Sequence, residues 1–124
     1  MSCKRSVFQA YILCLLLSFL ALSLCPPTAQ AHGPKDITLT YDSKTQALSV
    51  TISHAVSNPQ KHYVKKVSIT KNLEAVATHN YTSQPESSSF MYTYPMEATA
   101  GDTVKVKANC SYFGSKMVEL TIDK

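Results

Sequence analysis

Apolar and polar residues alternate in short runs along most of this chain. A period of two places successive side chains on opposite faces of a β-strand. No helical period of useful length occurs after residue 31. Seven short runs separated by polar turns predict an antiparallel β-sandwich. The predicted strands cover residues 37–41, 47–53, 63–70, 75–82, 90–94, 104–110 and 116–122.

The first 31 residues have the organisation of a signal peptide. A basic start precedes an apolar run over residues 11–24, and Ala29-Gln30-Ala31 supplies a small-x-small cleavage site. An apolar run of about 14 residues is short for a helix that spans a bilayer. We therefore expect residues 1–31 to be removed on export to the periplasm or the cell exterior. Residues 32–124 would remain as one domain, with no membrane span after processing.

The size and charge of this remaining segment exclude some functions. It has 93 residues, which is enough for a single modest core. Two of the twelve basic residues lie in the leader, which leaves ten against eight acids and a net charge of about +2. This charge is too weak to indicate a nucleic-acid partner.

The residues after the leader include a single thiol and several imidazoles. Cys110 is the one cysteine, and the four histidines are His32, His54, His62 and His79. A lone thiol in an exported protein has no disulfide partner. Thiolate and imidazole together suit a late first-row metal such as iron, copper or zinc. We therefore predict that His54, His62 and Cys110 converge at one end of the sandwich.

Each of these residues also has a simpler interpretation. Cys110 could be a small buried hydrophobic residue at a strand end. His54 and His62 could be surface histidines that flank a loop, and His32 could be no more than the first residue of the processed chain. No motif surrounds His79, which we interpret as a surface strand residue.

Three segments resemble the superoxide reductases, the desulfoferrodoxin family. The run from His54 to His62-Tyr63-Val64, with Pro59 between, is similar to that family's metal loop. The segment from Cys110 to Gly114 resembles its Cys-Asn-x-His-Gly motif, and His32-Gly33-Pro34 resembles its His-x-Pro motif near the first strand. The resemblance covers essentially the whole of residues 32–124 and implies the immunoglobulin-like iron domain of that family.

The resemblance implies a mononuclear, non-haem iron with four equatorial imidazoles and one axial thiolate. Carried over, His32, His54 and His62 take equatorial positions and Cys110 takes the axial one. The fourth imidazole corresponds to residue 113, where this chain has Phe113, which cannot ligate a metal. The family's chemistry implies superoxide and an electron donor as further partners.

Three functional hypotheses follow from these residues. The first is an exported iron-binding protein, with superoxide reductase activity left open. The second is copper binding, in which an amino-terminal His32 chelates the metal through its α-amine and its ring. The third is a non-catalytic exported sandwich that serves as a binding or accessory domain and holds no metal.

Overall fold

Residues 32–123 form an all-β sandwich. They are the residues that the computed structural model describes, so the predicted signal peptide over residues 1–31 lies outside the described part. The predicted fold class is confirmed, and in these residues no helix reaches the length and apolarity needed to cross a membrane. The strands are β1 (Asp36–Asp42), β2 (Ala47–Ser53), β3 (Val64–Lys71), β4 (Glu74–Asn80), β5 (Ser89–Pro95), β6 (Thr103–Cys110) and β7 (Ser115–Thr121).

The seven strands divide into two antiparallel sheets. The first has the order β1-β2-β5, and the second has the order β4-β3-β6-β7. The chain therefore changes sheet after β2, after β4 and after β5, in the manner of an immunoglobulin-like sandwich. Every strand boundary lies within two residues of the prediction from the alternating pattern.

The core lies between the two sheets and is built from the inward-facing positions of the strands. On β2, Leu48, Val50 and Ile52 are buried at every second residue. The same alternation runs along β6. Aliphatic residues at these positions fit the pleated surface and give the largest contribution to the hydrophobic stabilisation. The buried apolar set is Ile37, Leu48, Val50, Ile52, Val64, Val67, Ile69, Phe90, Tyr94, Met96, Val104, Val106, Ala108 and Ile122.

An aromatic cluster covers one side of the core, where β4 and β5 contribute neighbouring rings. The rings of Tyr81 and Tyr92 stack with centroids 4.4 Å apart, and the hydroxyls of Tyr81 and Tyr94 are 2.7 Å apart. Burial raises the pKa of Tyr92 to about 12. His79, which we predicted to be a surface residue, is half-buried because its ring stacks on Tyr94.

The strand pairing defines one end of the sandwich. In the first sheet, Ser53 at the end of β2 pairs with Asp36 and with Ser89. In the second sheet, Val64 at the start of β3 pairs with Cys110 at the end of β6. The loops β2–β3, β4–β5 and β6–β7 adjoin these paired positions, as does the segment that precedes β1.

Two identical substitutions test where the stability of the sandwich lies. Leu48 is fully buried, whereas Leu73 in the β3–β4 turn is 85% exposed. We expect Leu48→Ala to lower the free energy of unfolding by about 2 to 5 kcal/mol, because it removes core contacts and leaves a cavity. Leu73→Ala should change it by less than about 0.5 kcal/mol. Urea denaturation measures both values, and equal effects would contradict this location of the core.

Candidate metal centre

Two histidines and the cysteine meet at the end of the sandwich that the paired positions define. His54 follows β2, His62 precedes β3, and Cys110 is the last residue of β6. One ligand atom from each of them lies within 4.8 Å of the other two. Metal–ligand bonds to nitrogen and sulfur are about 2.0 to 2.3 Å long, so donors of one ion lie roughly 3 to 4 Å apart. The group could therefore hold a metal ion after small side-chain movements.

The thiol and the imidazole of His62 are in direct contact. The distance from Nε2 of His62 to Sγ of Cys110 is 3.0 Å. The backbone N–H of Tyr112 donates a hydrogen bond to the same sulfur at 3.4 Å, and the Tyr112 ring stacks on His62 with centroids 4.7 Å apart. The sulfur is thus held between a backbone donor and a ring nitrogen, and as a thiolate it is a metal ligand.

The surroundings of His62 favour its neutral form. Burial lowers the pKa of the His62 imidazole, and the proximity of His54 and His32 lowers it further. Only a neutral imidazole has a lone pair to offer to a metal, so this shift reduces competition from protons.

His54 is completely buried, and each of its polar atoms lies within hydrogen-bonding distance of a polar atom of another residue. Its backbone N–H donates to the carbonyl of Ser88 at 2.8 Å. Nδ1 of its ring lies 2.8 Å from Oε1 of Gln84, and Nε2 lies 3.1 Å from the carbonyl oxygen of His32. The ring centroids of His54 and His62 are 4.8 Å apart. His54 is thus held by two segments that are remote from it in sequence.

His32 approaches the group mainly through its backbone. Its ring is exposed, and its centroid is 6.1 Å from both the His54 and the His62 centroids. The three-residue group of ligand atoms does not include the His32 ring. The carbonyl oxygen of His32 lies 3.1 Å from Nε2 of His54.

The backbone of His32 is held in place by a close approach between two glycines. A Cβ built on Gly33 would lie 2.8 Å from the carbonyl carbon of Gly114, and one built on Gly114 would lie 2.6 Å from the nitrogen of Gly33. Gly114 also has a φ of +88°, which side chains disfavour. The two segments that resemble family motifs are therefore packed against each other, backbone to backbone.

Phe113 lies in the β6–β7 loop beside the group, with 76% of its surface exposed. Its neighbour Tyr112 is 49% exposed and has its ring stacked on His62. Neither ring belongs to the buried core. The position that the resemblance assigns to a fourth imidazole is thus occupied by a solvent-exposed side chain.

No feature of the sequence indicates the role of Gln84. It lies in the polar β4–β5 loop, among serines and a proline, and no metal motif includes it. The structure shows it to be 2% exposed and hydrogen bonded to His54 through both ends of its amide. Its burial follows from loop packing, for which the local sequence has no periodic signal.

The chain matches no family model, no curated protein and no solved structure. The geometry of the site and the resemblance of its motifs therefore have to support any functional proposal.

Two glycine substitutions test the close approach beside the site. A Cβ on Gly101, whose φ is +92°, would meet nothing within 4 Å. Gly114 also has a positive φ, and a Cβ there would collide with the backbone of Gly33. We expect Gly101→Ala to cost about 1 to 2 kcal/mol of unfolding free energy from strain alone. Gly114→Ala should cost about 1 to 3 kcal/mol more, because the backbone must also move. Equal losses in urea denaturation would show that the approach is not tight in solution.

Proposed function

We propose that this chain is an exported metal-binding protein that holds one iron ion through His54, His62 and Cys110. The observation that carries the proposal is the convergence of their three ligand atoms within 4.8 Å. Cys110 is a free, buried cysteine at this position, next to two imidazoles. Thiolate and imidazole are donors that late first-row metals prefer.

Simple core packing explains this group less well. A small hydrophobic residue would fill the Cys110 position without a polar neighbour, and a buried imidazole needs hydrogen-bond partners that the fold must supply. The protein instead places Nε2 of His62 3.0 Å from the thiol and surrounds His54 with dedicated partners. Two costly arrangements at one point favour a shared ligand.

The resemblance to the superoxide reductases supports iron as the metal. His54, His62 and Cys110 occur in the family's order, and His32 is beside them in space as well as in the motif. A Cys110 thiolate would donate electron density to a bound iron, which would favour electron transfer from that iron to an oxygen substrate. The reaction that we propose for the iron-loaded protein is one-electron reduction of superoxide to hydrogen peroxide, with the electron supplied by an external donor and two protons taken up from solvent.

A specific observation also favours copper as a second candidate. Two histidines and a cysteine with a weak axial backbone oxygen form the donor set of His₂Cys copper sites. The carbonyl oxygen of His32 is 3.1 Å from Nε2 of His54, which supplies such an oxygen. Cleavage before His32 would add an α-amine as a further nitrogen donor.

Metal loading of the exported, processed protein tests both candidates. We expect one equivalent of metal and, with iron(III) or copper(II), a thiolate charge-transfer band in the visible spectrum. Cys110→Ala should remove that band, because the sulfur that donates the charge is gone. Comparison of the iron and copper dissociation constants then decides between the metals. Loading of neither metal would contradict the proposal.

Substitution of Phe113 tests the likeness to the four-imidazole site. We expect Phe113→His to tighten iron binding by about tenfold or more, equivalent to about 1.4 kcal/mol, because it adds an imidazole beside the thiolate. It should also increase the rate of superoxide consumption by the iron-loaded protein.

Phe113→Ala is the matched control, since it removes the same exposed ring without adding a ligand. If both variants bind iron as the native protein does, residue 113 does not correspond to the family's fourth ligand.

A further inference from the structure

We propose that Gln84 is the positioning residue of the metal centre. It holds His54 as the Nδ1–H tautomer, so that the Nε2 lone pair and the carbonyl oxygen of His32 are left for one cation. This inference rests on the proposed function, and it adds a fourth donor that the sequence motifs do not contain.

The orientation of the Gln84 amide is fixed by its own hydrogen bonds. Its Nε2 donates to the carbonyl of His54 at 2.9 Å and to the carbonyl of Glu86 at 2.7 Å. Both partners are pure acceptors, so the amide NH₂ must face them. A flipped amide would place its oxygen against two carbonyl oxygens. Oε1 of Gln84 is therefore the atom that faces Nδ1 of His54, at 2.8 Å.

This orientation decides the tautomer of His54. An amide oxygen only accepts, so Nδ1 of His54 must donate its hydrogen. A neutral imidazole carries one ring hydrogen, which leaves Nε2 with a bare lone pair. Metal-binding histidines commonly have their other ring nitrogen held in this way, which fixes both the tautomer and the ring orientation.

The bare nitrogen faces another acceptor. The carbonyl oxygen of His32 is 3.1 Å from Nε2, so two lone pairs meet at hydrogen-bonding distance. A cation between them removes the repulsion. A metal ion there could also bind the Cys110 thiolate, because one ligand atom of His54 and the sulfur lie within 4.8 Å of each other.

The fold holds both partners of His54 firmly. Gln84 is buried, and its backbone N–H donates to the carbonyl of Pro59 at 3.1 Å, which joins the β4–β5 loop to the β2–β3 loop. The carbonyl of His32 belongs to the peptide that enters Gly33, whose backbone is packed on Gly114. Neither atom can turn away from His54 without displacing a neighbouring loop.

The tautomer can be measured directly in the metal-free protein. Nitrogen-15 NMR of the imidazole distinguishes the protonated ring nitrogen from the bare one. We expect the neutral His54 ring to carry its hydrogen on Nδ1. A hydrogen on Nε2, donated to His32, would overturn the proposal, and this measurement needs no variant.

Two changes at Gln84 separate positioning from simple packing. Gln84→Met keeps the length but accepts no hydrogen bond, and we expect it to weaken cobalt(II) binding about 10- to 100-fold. Gln84→Glu keeps an acceptor for Nδ1, so its cobalt(II) affinity should stay close to that of the native protein. A purely structural role predicts equal losses, because both variants lose the amide hydrogen bonds to two carbonyls. Equal cobalt(II) affinities in folded Gln84→Met and the native protein would also overturn the proposal.

Gln60→Met is the matched control for these variants. It makes the same change at an exposed position of the β2–β3 loop, and it should leave cobalt(II) binding unchanged. A loss in Gln60→Met as large as that in Gln84→Met would remove the evidence for a specific role of Gln84 and count against it.

The carbonyl donor has its own measurement. His32-Gly33 is the only His-Gly pair in the chain, so ¹³C-carbonyl histidine with ¹⁵N-glycine gives a single resonance for this peptide. We expect zinc(II) to move the His32 carbonyl carbon downfield, because coordination polarises the C=O bond. An unchanged carbonyl resonance in zinc-loaded protein would exclude His32 as the fourth donor.

Failure of this inference can be told apart from failure of the proposed function. If the native protein binds no metal, both fail. If it binds cobalt(II) through Cys110 but Gln84→Met binds as tightly, only the role of Gln84 is lost and the metal centre stands.

Discussion

The need to satisfy one buried imidazole governs the end of the sandwich where the candidate metal ligands meet. His54 is fully buried, and a buried polar ring without partners would cost roughly 1 to 3 kcal/mol. Its hydrogen-bond partner is Gln84 of the β4–β5 loop, and the carbonyl oxygen of His32, in the segment before β1, lies 3.1 Å from its other ring nitrogen. The backbone N–H of Gln84 also donates a hydrogen bond to the carbonyl of Pro59 in the β2–β3 loop. His54 and Gln84 together therefore connect the β2–β3 loop, the β4–β5 loop and the segment before β1.

The sheets supply the frame on which this arrangement depends. Val64 pairs with Cys110, and a shift of one residue in that register would turn the thiol to the opposite face of the sheet. The buried alternation along β6 prevents such a shift, because it would also expose Val104 and Val106. The ligand atoms are therefore close together before any metal binds, and the entropic cost of ordering them on binding is small.

Sequence reasoning was successful where a periodic pattern reports on structure. Alternation located all seven strands, because each strand has one face on the core. Spacing alone indicated that His54 and His62 bracket a loop, and the structure places both beside Cys110. Gln84 could not be found in this way, since its burial depends on contacts between loops of different strands. The roles of Gly33 and Gly114 depend on the same kind of long-range packing.

The set of donor atoms in the proposed centre does not by itself select iron over copper. A site with four imidazoles and a thiolate offers iron five strong donors, whereas this chain offers two imidazoles, one thiolate and the carbonyl of His32. Iron(II) stands below copper(II) in the affinity order for such sites, so nitrogen and sulfur donors alone favour copper. Phe113 is turned to solvent and supplies no donor. Further open coordination positions would suit iron, as in a centre with four imidazoles and a thiolate, and a geometry closed at four donors would suit copper. The metal selectivity of the proposed centre would therefore depend less on the residues that resemble a motif than on whether solvent reaches the bound ion.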